Sequence, residues 1–257
     1  VFRNTGTGFE NITEDLSLGS LRGLWMSLHI DDLDGDGRDD LLLGNLGLNN
    51  HFRTGADNPL RMWVGDFQNN GMSDQILSRS IEGRDVPYVL KHDLFSQIPS
   101  LQSRYPTYES YASQSMSDLF TEEQLQAARM LQADLLESII IFNRESGPEW
   151  TVLPPRAQFS AVYGLLSEDL NGDRTPDILI SQNLIQAKPM AGPYDAGYGS
   201  VLRFDESNQL KSLPPQLSGL NIPGSGRGIL SVQNAAGEKI IVVAINDDRP
   251  LFFRVNR

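Results

Sequence analysis

A short acidic turn that occurs three times between apolar segments is the feature that most constrains how this 257-residue chain can fold. The turns follow the pattern D-x-D/N-x-D/N-(G)-x-x-D, with one deviation, and begin at Asp32, Asp66 and Asp169. A short run containing Leu, Ile, Val or Met precedes each turn, and another follows it. Apolar runs on both sides of a turn predict a β-hairpin, and the recurrence predicts a repeat protein built from such hairpins.

Further strand candidates lie between these hairpins and are bounded by Gly or Pro. A fourth hairpin has lost its acids, since residues 233–237 form an ordinary turn between the apolar segments 229–232 and 240–244. The first two turns begin 34 residues apart, at positions 32 and 66, close to the roughly 40–50 residues of known propeller blades. We therefore predict an all-β fold over residues 1–257: a β-propeller of about four blades, each of four antiparallel strands, belonging to a larger propeller. The remaining strand candidates are residues 138–143, 150–153, 200–204 and 251–255.

The second and third turns lie much further apart, at positions 66 and 169, which predicts an insertion between their blades. We predict that residues 91–137 form this insertion and that it is helical. Thr121 and Gln124 match a helix-capping box. Pro99 and Pro106 break the preceding stretch into short helices or turns. Apolar residues recur at helical spacing after the capping box, at Leu125, Ala128, Leu131 and Leu135.

The acidic turns are predicted to bind calcium. Side chains at positions 1, 3 and 5 converge, and a carboxylate at position 9 reaches them from the start of the next strand. Calcium accepts about six to eight oxygen ligands in loose geometry, and a backbone carbonyl at position 7 adds one more by analogy with the EF-hand. Without a cation, two carboxylates about 4 Å apart would repel by up to about 4 kcal/mol at an effective dielectric of about 20. The predicted ligands are Asp32, Asp34, Asp36, Arg38 and Asp40 in the first turn, Asp66, Gln68, Asn70, Met72 and Asp74 in the second, and Asp169, Asn171, Asp173, Thr175 and Asp177 in the third.

The EF-hand shares the opening of this pattern, but it needs a Glu at position 12 and a helix on each side. Position 12 is apolar in all three turns, where it is Leu43, Leu77 and Ile180. Because strand-like segments follow each turn directly, the metal loop is predicted to lie within a β-hairpin.

The three turns match a calcium loop to different degrees. The first has an acid at positions 1, 3, 5 and 9 and Gly37 at a tight position. The third has Arg174 where Gly usually accommodates a positive φ. The second has only two acids at ligand positions and carries Gln68 at position 3. We therefore predict two calcium ions, at the first and third turns, and leave open a third ion or a metal-free hydrogen-bonded turn at Asp66.

These hairpins resemble the VCBS or FG-GAP-like repeats of bacterial surface proteins, whose blades are related in pattern to the propeller of integrin α-subunits. The resemblance is carried by the turn at 32–40 followed by Gly-Asn-Leu-Gly-Leu-Asn at 44–49, and by Val-Gly-Asp-Phe at 64–67 with Asn-Asn-Gly at 69–71. It implies calcium in the loops between strands, a secreted or cell-surface location, and binding of a protein or glycan. It also implies that residues 1–4 are the last strand of a blade whose other strands precede this sequence.

Composition narrows the function classes. With 21 basic and 33 acidic residues, the net charge is −12 and no basic stripe is present, so nucleic acid is not an expected partner. The absence of cysteine removes disulfides, thiolate metal sites and cysteine nucleophiles. The apolar runs are far shorter than the roughly 20 residues that cross a bilayer as a helix. The oligomeric state is not predicted.

Catalysis is the alternative reading. His29, His51 and His92 lie in unrelated contexts, and no nucleophile motif such as G-x-S-x-G is present. The glycine-rich stretch at 224–228 has no P-loop lysine and no following helix pattern. A hydrolase or lyase acting on polysaccharide would need a pair of carboxylates across a cleft, and the sequence does not locate such a pair.

Overall fold

The computed structural model describes residues 1–188 and 192–255, and every pair of named strands in these residues is antiparallel. The predicted all-β class is confirmed, since the chain consists mainly of small antiparallel sheets. In the described residues, no helix is both long and apolar enough to span a membrane. The chain divides into two compact units: unit 1 is Val1–Ser20, Leu24–His51 and Leu136–Arg257, and unit 2 is Leu21–Gly23 and Phe52–Leu135.

The elements of secondary structure are numbered in chain order. They are β1 (Phe2–Asn4), β2 (Phe9–Asn11), β3 (Ser27–Asp31), β4 (Asp40–Gly44), β5 (Leu60–Gly65), β6 (Asp74–Ile81), β7 (Arg84–Pro87), α1 (Lys91–Gln97), α2 (Leu101–Arg104), α3 (Tyr108–Ala112), α4 (Met116–Leu119), α5 (Glu122–Ala127), β8 (Arg129–Ala133), β9 (Ile139–Arg144), β10 (Gly147–Val152), a 3₁₀ helix (Pro155–Gln158), β11 (Val162–Glu168), β12 (Asp177–Gln182), β13 (Ser200–Phe204), β14 (Leu210–Ser212), α6 (Pro215–Ser218), β15 (Gly226–Gln233), β16 (Lys239–Ile245) and β17 (Leu251–Arg254).

The prediction that each of the three acidic turns lies within a β-hairpin is confirmed. β3 pairs with β4 from Ser27 opposite Gly44 to Asp31 opposite Asp40. β5 pairs with β6, and β11 with β12, in the same antiparallel manner around the second and third turns. The fourth hairpin, without acids, is formed by β15 and β16. Each acidic turn therefore connects two neighbouring strands of one sheet.

Unit 1 contains a hairpin of β1 and β2 and three larger sheets, with the strand orders β10-β9-β4-β3, β11-β12-β13-β14 and β15-β16-β17. The strands β3 and β4 of the first large sheet contact β11 of the second, and β11 and β12 contact β15 of the third. Close approach requires glycine at Gly44 in β4, because a Cβ there would lie 2.6 Å from the carbonyl oxygen of Val162 in β11. Two apolar cores result, one containing Leu33, Leu42, Ile140, Leu165 and Ile178, the other Leu179, Val201, Ile222, Ile241 and Val243.

Unit 2 contains one four-stranded sheet, β7-β6-β5-β8, and the helices α1 to α5. The helices bury an apolar core against this sheet. Phe67 from the second acidic turn packs in this core, where its ring centroid lies 4.4 Å from that of Phe120. The turn at Asp66 is therefore anchored by the residue that follows its first ligand position. Other buried members of the core are Ile76, Leu94, Ile98, Leu101, Met116 and Leu119.

The predicted helix after the capping box is shorter than expected. Thr121 and Gln124 do form the capping box, but α5 ends at Ala127. The next residues form strand β8, in which Leu131 pairs with Met62 of β5. The helical spacing of four apolar residues did not decide the outcome, because antiparallel pairing with β5 over five residues satisfies the backbone groups on one side of this segment.

The insertion is also larger than residues 91–137. The strand β4 ends at Gly44, and its next partner in the same sheet, β9, begins only at Ile139. The intervening unit 2 includes the hairpin β5–β6 with the Asp66 turn. The first two acidic turns therefore belong to different units, although their spacing in the sequence matches that of consecutive repeats.

Candidate metal centre

The first acidic turn brings three carboxylates together at one end of the β3–β4 hairpin. Asp32, Asp34 and Asp40 each offer a carboxylate oxygen, and these oxygens lie within 4.8 Å of one another. Among the His, Asp and Glu side chains of residues 1–188 and 192–255, this is the only group of three or more that could hold a metal ion. Three of the predicted ligands of the first turn are thus assembled by the fold.

The backbone of the turn is held by its own first aspartate. Oδ1 of Asp32 accepts hydrogen bonds from the amides of Gly35 at 2.8 Å and Asp36 at 3.1 Å, and Oδ2 accepts one from Gly37 at 2.9 Å. This winding requires positive φ angles of 78° at Gly35 and 85° at Gly37, which glycine adopts without steric cost. The side chain at position 1 therefore shapes the loop that surrounds the candidate site.

Asp40 is fully buried and connects the turn to a third strand. Its Oδ2 accepts a hydrogen bond from the amide of Leu33 at 3.0 Å, and its Oδ1 accepts one from the amide of Asn143 in β9 at 2.9 Å. Burial raises the pKa of Asp40, the charges of Asp34 and Asp36 add to this, and the two amides oppose it. The fold therefore keeps a carboxylate where its negative charge is poorly solvated, and a cation would offset that cost.

The raised pKa of Asp40 fixes the sign of its pH effect. Because its pKa in the folded chain lies above the reference value of 3.8, the metal-free fold loses stability as the pH rises from 3.8 through the raised pKa. A bound cation favours the ionised carboxylate, so cation binding weakens as the pH falls through the same range.

Two arginines already partly balance the charge of the first turn. The guanidinium of Arg144, at the end of β9, forms an ion pair with Asp34, and its Nη1 lies 3.6 Å from Oδ2 of Asp36. The guanidinium of Arg38 lies 2.5 Å from the same Asp36 oxygen. Asp36 therefore points to arginine in this structure rather than joining the cluster of three. Sequence reasoning missed Arg144, because it lies 110 residues from Asp34 and no motif surrounds it.

The second turn, in unit 2, has the same backbone form. Asp66 accepts hydrogen bonds from the amides of Asn70 at 3.0 Å and Gly71 at 2.8 Å, and these amides lower its pKa. Nε2 of Gln68 donates a hydrogen bond to Oδ1 of Asp74 at 3.0 Å, so the side chain at position 3 contacts the acid at position 9. The second oxygen of Asp74 is buried and has no hydrogen-bond partner among the described residues. The remaining predicted ligand, Met72, donates its amide to Oδ1 of Asn70 at 2.9 Å.

The third turn also winds around its first aspartate. Asp169 accepts hydrogen bonds from the amides of Gly172 at 2.6 Å and Arg174 at 3.1 Å. Although burial acts to raise it, these amides hold the pKa of Asp169 below its usual range. Asp173 accepts hydrogen bonds from the amide of Thr175 at 2.8 Å and from the Nδ2 of Asn171 at 2.7 Å. The local loop therefore forms as the repeat pattern predicts.

The position-9 acid of the third turn is engaged elsewhere. Asp177 is buried, and the guanidinium of Arg203 in β13 donates to its two carboxylate oxygens, with N to O distances of 2.5 Å and 2.8 Å. This paired hydrogen bond raises the pKa of Arg203. An arginine thus supplies the positive charge that a calcium ion would bring to Asp177, and no sequence signal points to it because Arg203 lies on another strand of the sheet.

Position 6 of the turn requires the left-handed backbone region in all three copies. The φ angles are 85° at Gly37, 80° at Gly71 and 74° at Arg174. A residue with a Cβ in this region raises the free energy of the folded state by roughly 1–2 kcal/mol. Glycine removes this steric cost, but it also increases the conformational entropy of the unfolded chain, which offsets part of the gain. We expect Arg174→Gly to raise the free energy of unfolding by about 0.5–1 kcal/mol, measured by urea denaturation. The reverse test is Gly37→Ala, which should destabilise by about 1 kcal/mol; a destabilising Arg174→Gly would contradict this account.

A serine, a histidine and an aspartate meet on β3 and β11 of unit 1. Nε2 of His29 lies 2.6 Å from Oγ of Ser167, and this hydroxyl donates a hydrogen bond to Asp31. Burial lowers the pKa of His29, although Asp31 opposes this. In a hydrolytic triad the carboxylate holds the histidine and not the serine. The group therefore links two strands and does not have the arrangement of an activated nucleophile.

Comparison with known proteins adds no assignment. No protein-family model matches the chain. No curated protein matches it at a significant level. The resemblance to VCBS and FG-GAP-like repeats therefore remains a prediction from the sequence motifs.

Proposed function

We propose that this chain is a calcium-binding module of a secreted or cell-surface protein, with β-propeller architecture, that binds a protein or a glycan. The observation that carries the proposal is the cluster of Asp32, Asp34 and Asp40, whose carboxylate oxygens lie within 4.8 Å of one another. One structural calcium ion at this cluster is the central element of the proposal.

The chemistry of the cluster favours calcium over other common metals. All three side chains are carboxylates, which are ligands for hard cations, whereas zinc and copper sites prefer histidine and cysteine. The chain has no cysteine, and the turn contains no histidine. Calcium also accepts backbone carbonyls in irregular geometry, so a loop of this length can complete its shell with the carbonyl of Arg38 and with water. Magnesium demands a tighter octahedron and keeps more of its water.

The position of the cluster supports a structural role for the ion. Asp32 and Asp34 lie in the turn, whereas Asp40 begins β4 and accepts a hydrogen bond from β9. A cation held by these residues would join the turn to the middle of the first large sheet. We infer that calcium holds this end of the sheet together and that bound partners contact other surfaces.

The other two turns are ranked by their contacts. The Asp66 turn is the second candidate, because Asp74 offers a buried oxygen without a hydrogen-bond partner in the described part of the chain. The Asp169 turn is expected to bind calcium more weakly than the Asp32 turn, since Arg203 contacts both oxygens of its position-9 acid, Asp177. In the first turn, by contrast, Asp40 accepts hydrogen bonds from backbone amides, and Arg144 pairs with Asp34 alone of the three clustered acids. Any ion at the third turn has to compete with this guanidinium.

The propeller assignment rests on repetition. Unit 1 contains successive antiparallel sheets that pack on one another, and two of them begin with a hairpin around an acidic turn. Propeller blades are four-stranded antiparallel sheets of this kind. The secreted or cell-surface location follows only from the resemblance of the motifs. The alternative, an enzyme acting on polysaccharide, gains no support from the acidic turns, because their first aspartates accept hydrogen bonds from backbone amides of the same turn and do not form a pair of carboxylates across a cleft.

Thermal unfolding in calcium and in chelator tests the proposal. A ligand that binds only the folded state stabilises it by about 2.7 kcal/mol at a concentration 100-fold above its Kd. We expect the melting temperature of the chain to fall by several degrees when EGTA replaces calcium, and to recover when calcium is returned in excess. Magnesium at the same concentration should restore less than calcium does. An unchanged melting temperature in EGTA would contradict the proposal.

A further inference from the structure

A cavity of about 70 Å³ lies within unit 2, at the end of the β5–β6 hairpin opposite the Asp66 turn. It is lined by the loop before β5 with the first residue of that strand, by the last residues of β6, and by Tyr88, which follows β7. The lining residues on which the argument depends are Phe52, Arg53, Asn58, Arg79 and Tyr88. None of them belongs to an acidic turn, so the cavity is separate from the candidate metal centre.

The charge of this cavity is opposite to that of the chain. The whole protein carries a net charge of −12, yet two arginines line the cavity, and the described residues that line it include no Asp or Glu. In the described part of the chain, Arg79 forms no ion pair; its guanidinium carbon lies 5.3 Å from the centre of the Tyr88 ring. A guanidinium stacked on a ring keeps its N–H groups available at the edge for an anion.

Asn58 supplies a polar atom that lacks a partner. Its Nδ2 donates a hydrogen bond to the carbonyl of Arg53 at 2.7 Å, which fixes the orientation of the amide. Its Oδ1 is buried and accepts no hydrogen bond from any described residue. A buried carbonyl oxygen without a donor costs about 1–3 kcal/mol, so a ligand O–H or N–H group that reaches it after a small shift of the Asn58 amide relieves that cost.

Aromatic rings form the third part of the lining. The ring centroids of Phe52 and Tyr88 lie 4.9 Å apart, with 51° between the ring planes. Such rings provide apolar surface for the C–H face of a saturated ring. The enclosed space corresponds to roughly two water molecules, so it takes the polar end of a ligand while the rest lies at the opening.

We propose that this cavity binds a sugar acid, that is, a uronic acid residue of an acidic glycan. The carboxylate pairs with Arg79, a neighbouring hydroxyl donates to Oδ1 of Asn58, and the pyranose ring lies against Phe52 and Tyr88. An amino acid fits less well, because its ammonium group would lie near two guanidinium groups. Inorganic phosphate matches the arginines but brings no apolar face. The inference rests on the proposed binding function and names its ligand class.

The test is binding of glucuronate and of tri-galacturonate to the full chain, followed by amide chemical shifts in two-dimensional NMR at fixed free calcium. Glucose and inorganic phosphate are the comparison ligands. We expect both uronates to shift amides of residues 52–60 and 79–88, and to bind at least about tenfold more tightly than glucose and phosphate. Arg79→Gln should weaken uronate binding about tenfold or more. Arg129→Gln is the matched control, because Arg129 is an exposed arginine at the other end of the same sheet.

Each outcome decides the proposal. The proposal would be overturned if the chain did not bind uronate, if it bound glucose equally well, or if it bound phosphate more tightly than uronate. It would also be overturned if Arg79→Gln and Arg129→Gln weakened uronate binding equally. Asn58→Asp provides a second variant, because a carboxylate at this position repels the ligand, and unchanged affinity in that variant would also count against the assignment. This result does not depend on the thermal unfolding experiment in EGTA. If the chain bound uronate but calcium did not stabilise it, the calcium proposal would be contradicted and the assignment of the cavity would stand.

Discussion

Replacing Asp40 with alanine is expected to lower the free energy of unfolding by about 3–5 kcal/mol in the presence of calcium. Two effects add in this variant. The amide of Leu33 loses its acceptor in a buried position, which costs about 1–3 kcal/mol, the more exposed amide of Asn143 loses its acceptor at a smaller cost, and relief of carboxylate repulsion offsets a part of the total. The proposed calcium ion also loses the ligand that connects it to β4. Urea denaturation in calcium and in EGTA measures both effects.

Asp39 provides the control for this variant, because it is the neighbouring acid and is exposed. Asp39→Ala should change the free energy of unfolding by less than about 0.5 kcal/mol and should retain the full response to EGTA. Asp40→Ala should be less stable in both conditions and should lose less stability on transfer to EGTA than Asp39→Ala does, since the first site is already lost. Equal responses of the two variants to EGTA would show that Asp40 does not hold a cation.

Leu42→Ala is expected to destabilise the chain by about 3–4 kcal/mol through loss of core packing. Leu42 is fully buried in β4, the strand that begins at Asp40, and lies in the core between the first and second large sheets of unit 1. Truncation of this side chain leaves a cavity in the core. Because β4 is paired with β3 on one side and with β9 on the other, it cannot shift to close that cavity.

The matched control is Leu28→Ala on the adjacent strand β3, where the side chain is 58% exposed. We expect this variant to lose less than about 1 kcal/mol in the same urea titration. Similar losses in the two variants would mean that the face of β4 that carries Leu42 does not form the core. The pair therefore tests the register of the hairpin that carries the candidate metal centre.

Local features of this protein follow directly from its sequence. Turn chemistry is set by neighbouring residues, so the windings around Asp32, Asp66 and Asp169 and the positive φ at Arg174 could be predicted from the repeat pattern. The strand segments on both sides could be predicted in the same way, because short apolar runs next to a tight turn pair with each other. The capping box at Thr121 is equally local.

Features that depend on long-range contacts could not be predicted. Strand β8 has the apolar spacing of a helix, and pairing with β5 decides its structure. The strand β9, which pairs with β4, follows the Phe52–Leu135 part of unit 2 in the chain. The spacing between Asp32 and Asp66 matches that of consecutive blades, but the chain enters unit 2 between these two residues. Arg144 and Arg203 approach the acidic turns from other strands, and this pairing changes the ranking of the candidate sites.

Isothermal titration of calcium into the metal-free chain tests the central claim most directly. We expect saturable binding of at least one calcium ion per chain, with magnesium binding more weakly. Asp34→Asn should lose the tightest site because it removes one of the three clustered carboxylates, whereas Asp39→Asn should retain it. Absence of saturable calcium binding, or an unchanged tightest site in Asp34→Asn, would contradict the assignment of the Asp32 turn as a calcium site.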